Sequence, residues 1–220
     1  MGRRKRSTLV GIGLVLLAAG VSSAVLLARR EGGSRVADPT DLIATGTVRD
    51  LDAFLRAGHQ INGRYGNSGQ TLLAIAAAAA TSDRKRGVVF VDFLLERGAD
   101  PNTTDALGLP PLLGAALAGS TEVVDALLAH GARVDARDPH GRTALHLVAM
   151  CAAPAVQAGD PVGTARTLVA HGADVRARDQ AGQTAFDKAL ARSSRGTDAQ
   201  RRCASAVAGY LQVAGGGRAH

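Results

Sequence analysis

A chain of 220 residues has room for one domain and an appendage, and 26 Lys and Arg against 19 Asp and Glu give it a formal charge of +7. The charge is uneven: residues 1–35 hold seven basic side chains and one acid, Glu31, so 19 basic and 18 acidic residues remain from residue 36 onward. That near-neutral body, with no Trp and two Tyr, lacks the basic stripe and stacking aromatics of a nucleic-acid binder, and the class is set aside.

The N-terminus reads as a membrane segment. Residues 1–8 form a basic region (Arg3, Arg4, Lys5, Arg6), and residues 9–28 carry no charge. Twenty residues at about 1.5 Å each span roughly 30 Å, the hydrocarbon thickness of a bilayer. The run ends on Arg29-Arg30 and a linker, residues 29–37. An uncleaved anchor is the preferred reading, because the apolar run continues past the small-residue stretch Ser22-Ser23-Ala24; a cleaved signal peptide is the alternative. The excess of positive charge before the segment keeps the N-terminus inside and exports the body. The expected localisation is therefore the inner membrane, single pass, with an extracytoplasmic (periplasmic) body. After signal cleavage it would instead be periplasmic or secreted. Gly2 does not make a myristoyl site, since position 6 is Arg6, and no Cys follows the apolar run to take a lipid. The excess of Ala, Gly and Arg resembles the bias of high-GC bacterial coding.

From residue 38 the chain repeats itself. "FLRAGHQIN", "LLERGADPN", "LLAHGARVD" and "LVAHGADVR" centre on Gly58, Gly98, Gly131 and Gly172. Each is followed by a turn and a new start: "GQTLLAIAA", "GLPPLLGAA", "GRTALHLVA" and "GQTAFDKAL". A motif written several times is a unit that stacks on copies of itself, whereas an active site is built once. Each of the four glycines falls where a helix ends and a left-handed residue is needed. Asp138-Pro139-His140-Gly141 and Asp179-Gln180-Ala181-Gly182 have the residues of tight turns. Thr143 and Thr184 stand where a hydroxyl can cap the next helix. Val123, Val124, Leu127 and Leu128 follow helical spacing and form one buried stripe.

These motifs resemble the ankyrin repeat, whose unit is about 33 residues with a Thr-Pro-Leu-His-x-Ala signature, a β-turn and two antiparallel helices. The match is closest at Thr143, Leu145, His146 and Ala149; Pro110-Pro111 stand where Thr-Pro is usual. The resemblance implies an all-α solenoid over residues 38–213, preceded by the transmembrane or signal segment. Its five units are 38–62, 63–102, 103–135, 136–176 and 177–213, with a flexible tail at 214–220. Extra residues at 80–87, 151–163 and 192–200 lengthen three of them. The first unit is a degenerate cap. The last ends the stack with Arg192, Arg195, Arg201 and Arg202 as a polar outer surface.

Chemistry is thinly signalled. His130 and His171 occupy equivalent positions roughly 10 Å apart, too far to share an ion. His146 is the signature histidine, structural in such repeats. There is no Gly-x-Ser-x-Gly elbow, paired carboxylate or phosphate loop. No metal, cofactor or enzymatic activity is expected. Cys151 and Cys203 are expected to bridge the fourth and fifth units in an oxidising compartment, the alternative being two separate buried thiols.

The expected function is rigid display. The repeated residues build the stack, and the drifting ones at the turn tips and concave face meet a protein partner. The tip residues are Arg64, Tyr65 and Asn67; Asp105 and Leu107; Arg137, His140 and Arg142; and Arg178, Gln180 and Gln183. Arg is prominent among them, which favours an acidic patch on the partner, although Arg is common throughout the chain. The solenoid itself is expected to be monomeric. Two other classes stay open: a protective or immunity partner of a toxic or oxidative-stress enzyme, and an enzyme on a repeat scaffold.

Overall fold

The structure is a computed structural model and describes residues 38–66, 69–79, 84–152 and 159–216. The apolar run 9–28, the linker, Asn67, most of the tail and the inserted residues 80–83 and 153–158 lie outside the described residues. Among the described residues no helix is long and apolar enough to cross a membrane.

Among the described residues ten helices follow in chain order: α1 Pro39–Thr45, α2 Val48–Arg56, α3 Leu72–Ala79, α4 Arg84–Glu96 and α5 Pro111–Ala118, then α6 Thr121–Ala129, α7 Ala144–Ala149, α8 Pro161–Ala170, α9 Ala185–Ser193 and α10 Asp198–Gly216. Their starts are fixed locally. Thr47 and Thr184 make capping boxes with Asp50 and Asp187. Asp160 caps α8 by accepting the Gly163 N–H at 2.8 Å. Pro39, Pro111 and Pro161 sit in the first turns of α1, α5 and α8, where a missing N–H costs nothing.

The odd-numbered helices pack side by side in one layer and the even-numbered helices in a second, each helix also touching the partner in its own pair. The first layer is rich in small residues, as in "LLAIAAAA" of α3 and "PLLGAALA" of α5, which bring neighbouring backbones close. Between the layers lies one core: Leu72, Leu73, Leu112, Leu113 and Leu145 from the first, and Leu51, Leu94, Leu127 and Leu168 from the second, each almost wholly buried. The all-α expectation needs one addition. In the turn before α3, Arg64–Tyr65 pairs antiparallel with Gln70–Thr71, Arg64 opposite Thr71 and Tyr65 opposite Gln70.

Polar ties cross from unit to unit. Asn62 Oδ1 accepts the Asp100 N–H at 2.9 Å; Asn102 Oδ1 accepts the Arg133 N–H at 2.9 Å while its amide donates to the Gly131 carbonyl at 2.9 Å. Cys151, just beyond α7, is bridged to Cys203 on α10 with Cα atoms 6.2 Å apart. Cys151 has φ +41°, the sole positive value for a non-glycine among the described residues.

Gly131 has φ +88°, and a methyl group added there meets nothing within 4 Å; Gly141 has φ +74°, and the same methyl lies 3.2 Å from the Gln180 backbone nitrogen. Gly131→Ala is therefore expected to cost only the left-handed backbone penalty, about 1 kcal/mol. That is less than the unfolding a strained helix end suggests from sequence alone. Gly141→Ala should cost more, because the neighbouring turn must also move. Urea unfolding of the two variants ranks them; equal losses would show that the contact at Gly141 relaxes freely.

Candidate interaction face

Three turn tips share one construction. The backbone N–H of Gly108, Gly141 and Gly182 donates to the carbonyl of Asp105, Asp138 and Asp179 three residues earlier. Each Asp side chain then accepts two more N–H groups: those of Leu107 and Leu109, of His140 and Arg142, and of Ala181 and Gln183. Adjacent tips are also tied together. Ala106 N–H donates to the Gly69 carbonyl at 3.2 Å, and Gln180 N–H donates to the His140 carbonyl at 3.0 Å. The result is a row of turns tied by backbone hydrogen bonds between the first and second tips and between the third and fourth.

Charges inside this row are matched. Lys188 Nζ lies 2.6 Å from Asp179 Oδ2, and that contact, helped by the Gln183 and Ala181 N–H groups against the opposing effect of burial, lowers the Asp179 carboxyl to about 2. Burial pushes Asp138 up, but the N–H of Arg142, its guanidinium at 2.6 Å and the His140 N–H together hold it below the usual carboxylate range. Asp187 is lowered chiefly by the N–H and hydroxyl of Thr184.

His146 sits at the centre, wholly buried. Its Nδ1 lies 3.2 Å from the Thr143 N–H donor and 2.9 Å from Thr143 Oγ1, and its Nε2 lies 3.0 Å from the Gln183 carbonyl in the next unit. A carbonyl can only accept, so Nε2 carries the proton and Nδ1 accepts. Burial accordingly lowers its pKa, against the raising effect of the Gln183 carbonyl.

Residues 78–179 match the family model for ankyrin repeats, in three copies. Two human proteins show the same similarity. Ankyrin repeat domain-containing protein 37 is 32% identical over 107 residues, which is 49% of this chain and 64% of that protein. Transient receptor potential cation channel subfamily A member 1 is 45% identical over 56 residues, 26% of this chain and 5% of the channel. The chain thus spans less than two thirds of either relative. Ankyrin repeats make protein–protein interaction domains and are in general non-enzymatic. Among the described residues no three His, Cys, Asp or Glu side chains group as metal ligands.

Within this stack of helix pairs the eleven tip residues expected to meet a partner divide into two kinds. Arg64, Leu107 and His140 are exposed, and among the described residues no side-chain bond ties them down: Leu107 is 63% exposed, and His140 takes part through its backbone alone. Asn67 lies outside the described residues. The others have structural duties. Asp105 is 5% exposed and holds its turn, so it is withdrawn from the face. Tyr65 lies edge-on to Phe54 and donates its hydroxyl to the Gln60 carbonyl. Arg137 is exposed yet bridges two tips, donating to the carbonyls of Gly141 and Arg178 at 2.7 and 2.8 Å. Arg178 donates to the Gly182 carbonyl, Arg142 is paired with Asp138, and the Gln180 amide donates to the Pro139 carbonyl. Gln183 accepts from Lys188 through its side chain and from His146 through its carbonyl. Charge reversal at Arg137, Arg142 and Arg178 would therefore disturb the row of turns itself as well as any contact.

Sequence reasoning missed the asparagine ties. The signal was available: Asn62 and Asn102 stand at the same place in their units, four residues beyond Gly58 and Gly98.

Proposed function

We propose that this chain is a non-enzymatic scaffold that binds another protein through its turn tips and the adjoining first-layer helices. Residues 9–28 hold it in the inner membrane with the repeat body outside the cytoplasm. The observation that carries the reading is the division at the tips. Buried Asp and backbone groups fix the turns, and the side chains of Arg64, Leu107 and His140 project from them without a hydrogen bond or ion pair among the described residues. Rigid turns presenting free side chains form a preorganised surface, which loses little entropy on binding. The uncharged run 9–28 with Arg and Lys on its N-terminal side supports the anchor and its orientation.

The test uses the full chain in its own cells, with a photo-crosslinking residue at Leu107, at His140 or, as the opposite-face control, at Arg166 on α8. A discrete protein adduct is expected from the two tip positions and none from the control. The same adduct from all three, or none from any, would overturn the reading. A reporter active only in the cytoplasm, fused after His220, should be silent; an active one reverses the orientation. The mass of the mature chain separates an uncleaved anchor from a cleaved signal peptide.

A further inference from the structure

We propose that the groove between α7 and α9 receives an extended segment of the protein partner that carries carboxylates next to an apolar residue. This rests on the scaffold reading above and adds the place and chemistry of contact. The groove has a volume of about 300 Å³, with Met150 and Ala191 on its floor and Arg142, Lys188, Arg192 and Arg195 around it.

The four cations are not equivalent. Arg142 is neutralised by Asp138 and Lys188 by Asp179, each at 2.6 Å. Asp187, on the same helix as Lys188, is taken up by the N–H and hydroxyl of Thr184. Among the described residues Arg192 and Arg195 have no carboxylate partner, and the buried Nε of Arg192 donates to nothing. A buried donor without an acceptor is a deficit that a bound acceptor removes. Two uncompensated guanidinium groups beside an apolar floor match a carboxylate pair flanking an apolar side chain. Arg binds carboxylates in a fork that Lys cannot reproduce. Arg142 also points a donor at Met150 Sδ, 3.5 Å away, which steadies the floor. A free inorganic anion would use the arginines and leave Met150 and Ala191 bare.

The experiment uses the full chain in an uncharged maltoside detergent and a fluorescein-labelled octapeptide of alternating Glu and Leu. A peptide of alternating Gln and Leu is its neutral counterpart. Saturable binding of the acidic peptide is expected, weakened at least about tenfold in R192Q/R195Q and unchanged in R166Q, with no binding of the neutral peptide. Millimolar phosphate should not displace the peptide fully. Should R192Q/R195Q fold poorly by circular dichroism, R195E alone, at an exposed position, carries the same expectation.

Equal affinity in the variants, equal binding of the neutral peptide, or complete displacement by phosphate overturns the proposal. So does binding only to phosphatidylglycerol vesicles. If tip crosslinking yields a partner while the acidic peptide ignores the groove, the groove alone is wrong. If no tip adduct forms, the scaffold reading falls independently.

Discussion

Replacing both Cys151 and Cys203 with serine is expected to destabilise the repeat body by about 4 kcal/mol, the largest effect of any substitution considered. The bridge spans 52 residues of sequence, and the chain-entropy treatment gives roughly that value for a closed loop of such length. The location adds to the loss. Among the described residues α10 packs chiefly on α7, α8 and α9, at the C-terminal end of the described stack. In a solenoid each unit draws stability from its neighbours, and a terminal unit with one neighbour frays first. The bridge ties α10 back to the preceding unit at the end of α7. Urea unfolding of the serine variant against the parent, without reductant, reads the difference. Hydrogen exchange should show faster opening in α9 and α10 than in α3 to α6. Titration of the purified, denatured chain without reductant should find no free thiol. Two thiols per chain, or a serine variant as stable as its parent, would remove the bridge from the account.

How far the sequence could be read depends on how local each signal is. The helix pairs were legible because their determinants lie within one unit: Thr47 or Thr184 at a helix start, the apolar stripe of α6, and glycines such as Gly131 at helix ends. The Asp-x-x-Gly turns were equally legible, and Asp105-x-x-Gly108 obeys the same rule as Asp138-x-x-Gly141. Applying that rule to Asp105 would have kept it out of the interaction face. Apart from the asparagine ties, which stand at equivalent positions, bonds between units could not be read. Arg137 reaches the Arg178 carbonyl across 41 residues, and nothing in either position marks that bond. Tyr65 looked like a tip anchor because tyrosine is common at interfaces, yet its ring is used inside the first two units against Phe54. The groove was illegible for the same reason. Arg192 and Arg195 read as part of a solvated end, and only the packing of α9 beside α7 places them at a shared concavity with Met150.

His146→Ala is expected to cost about 3 kcal/mol, the second large effect, and its pH dependence identifies the cause. The substitution removes one of the two donors to the Gln183 carbonyl, which keeps the Asp179 N–H at 2.9 Å, and leaves the buried Thr143 N–H without its acceptor. It also opens a cavity, and each of these losses falls in the range of about 1–3 kcal/mol. His146→Gln keeps one donor and one acceptor and should recover part of the loss. The titration has a definite sign. Burial lowers the folded pKa of His146 below the ordinary value of about 6.5, so as pH falls past 6.5 the unfolded chain takes up a proton that the folded chain refuses. Bound protons are then more numerous in the unfolded state, and stability rises with pH. The contribution is fully present above about 6.5 and is lost as pH falls toward the folded pKa. Asp179, at about 2, acts in the same direction, with its window opening only in stronger acid, below about 4. Urea unfolding at pH 7.5 and 5.5 should therefore show a steeper acid loss for the parent than for His146→Gln. Parallel losses would mean that the imidazole is not held neutral between Thr143 and Gln183, and the tie it makes between the fourth and fifth units would have to be redrawn.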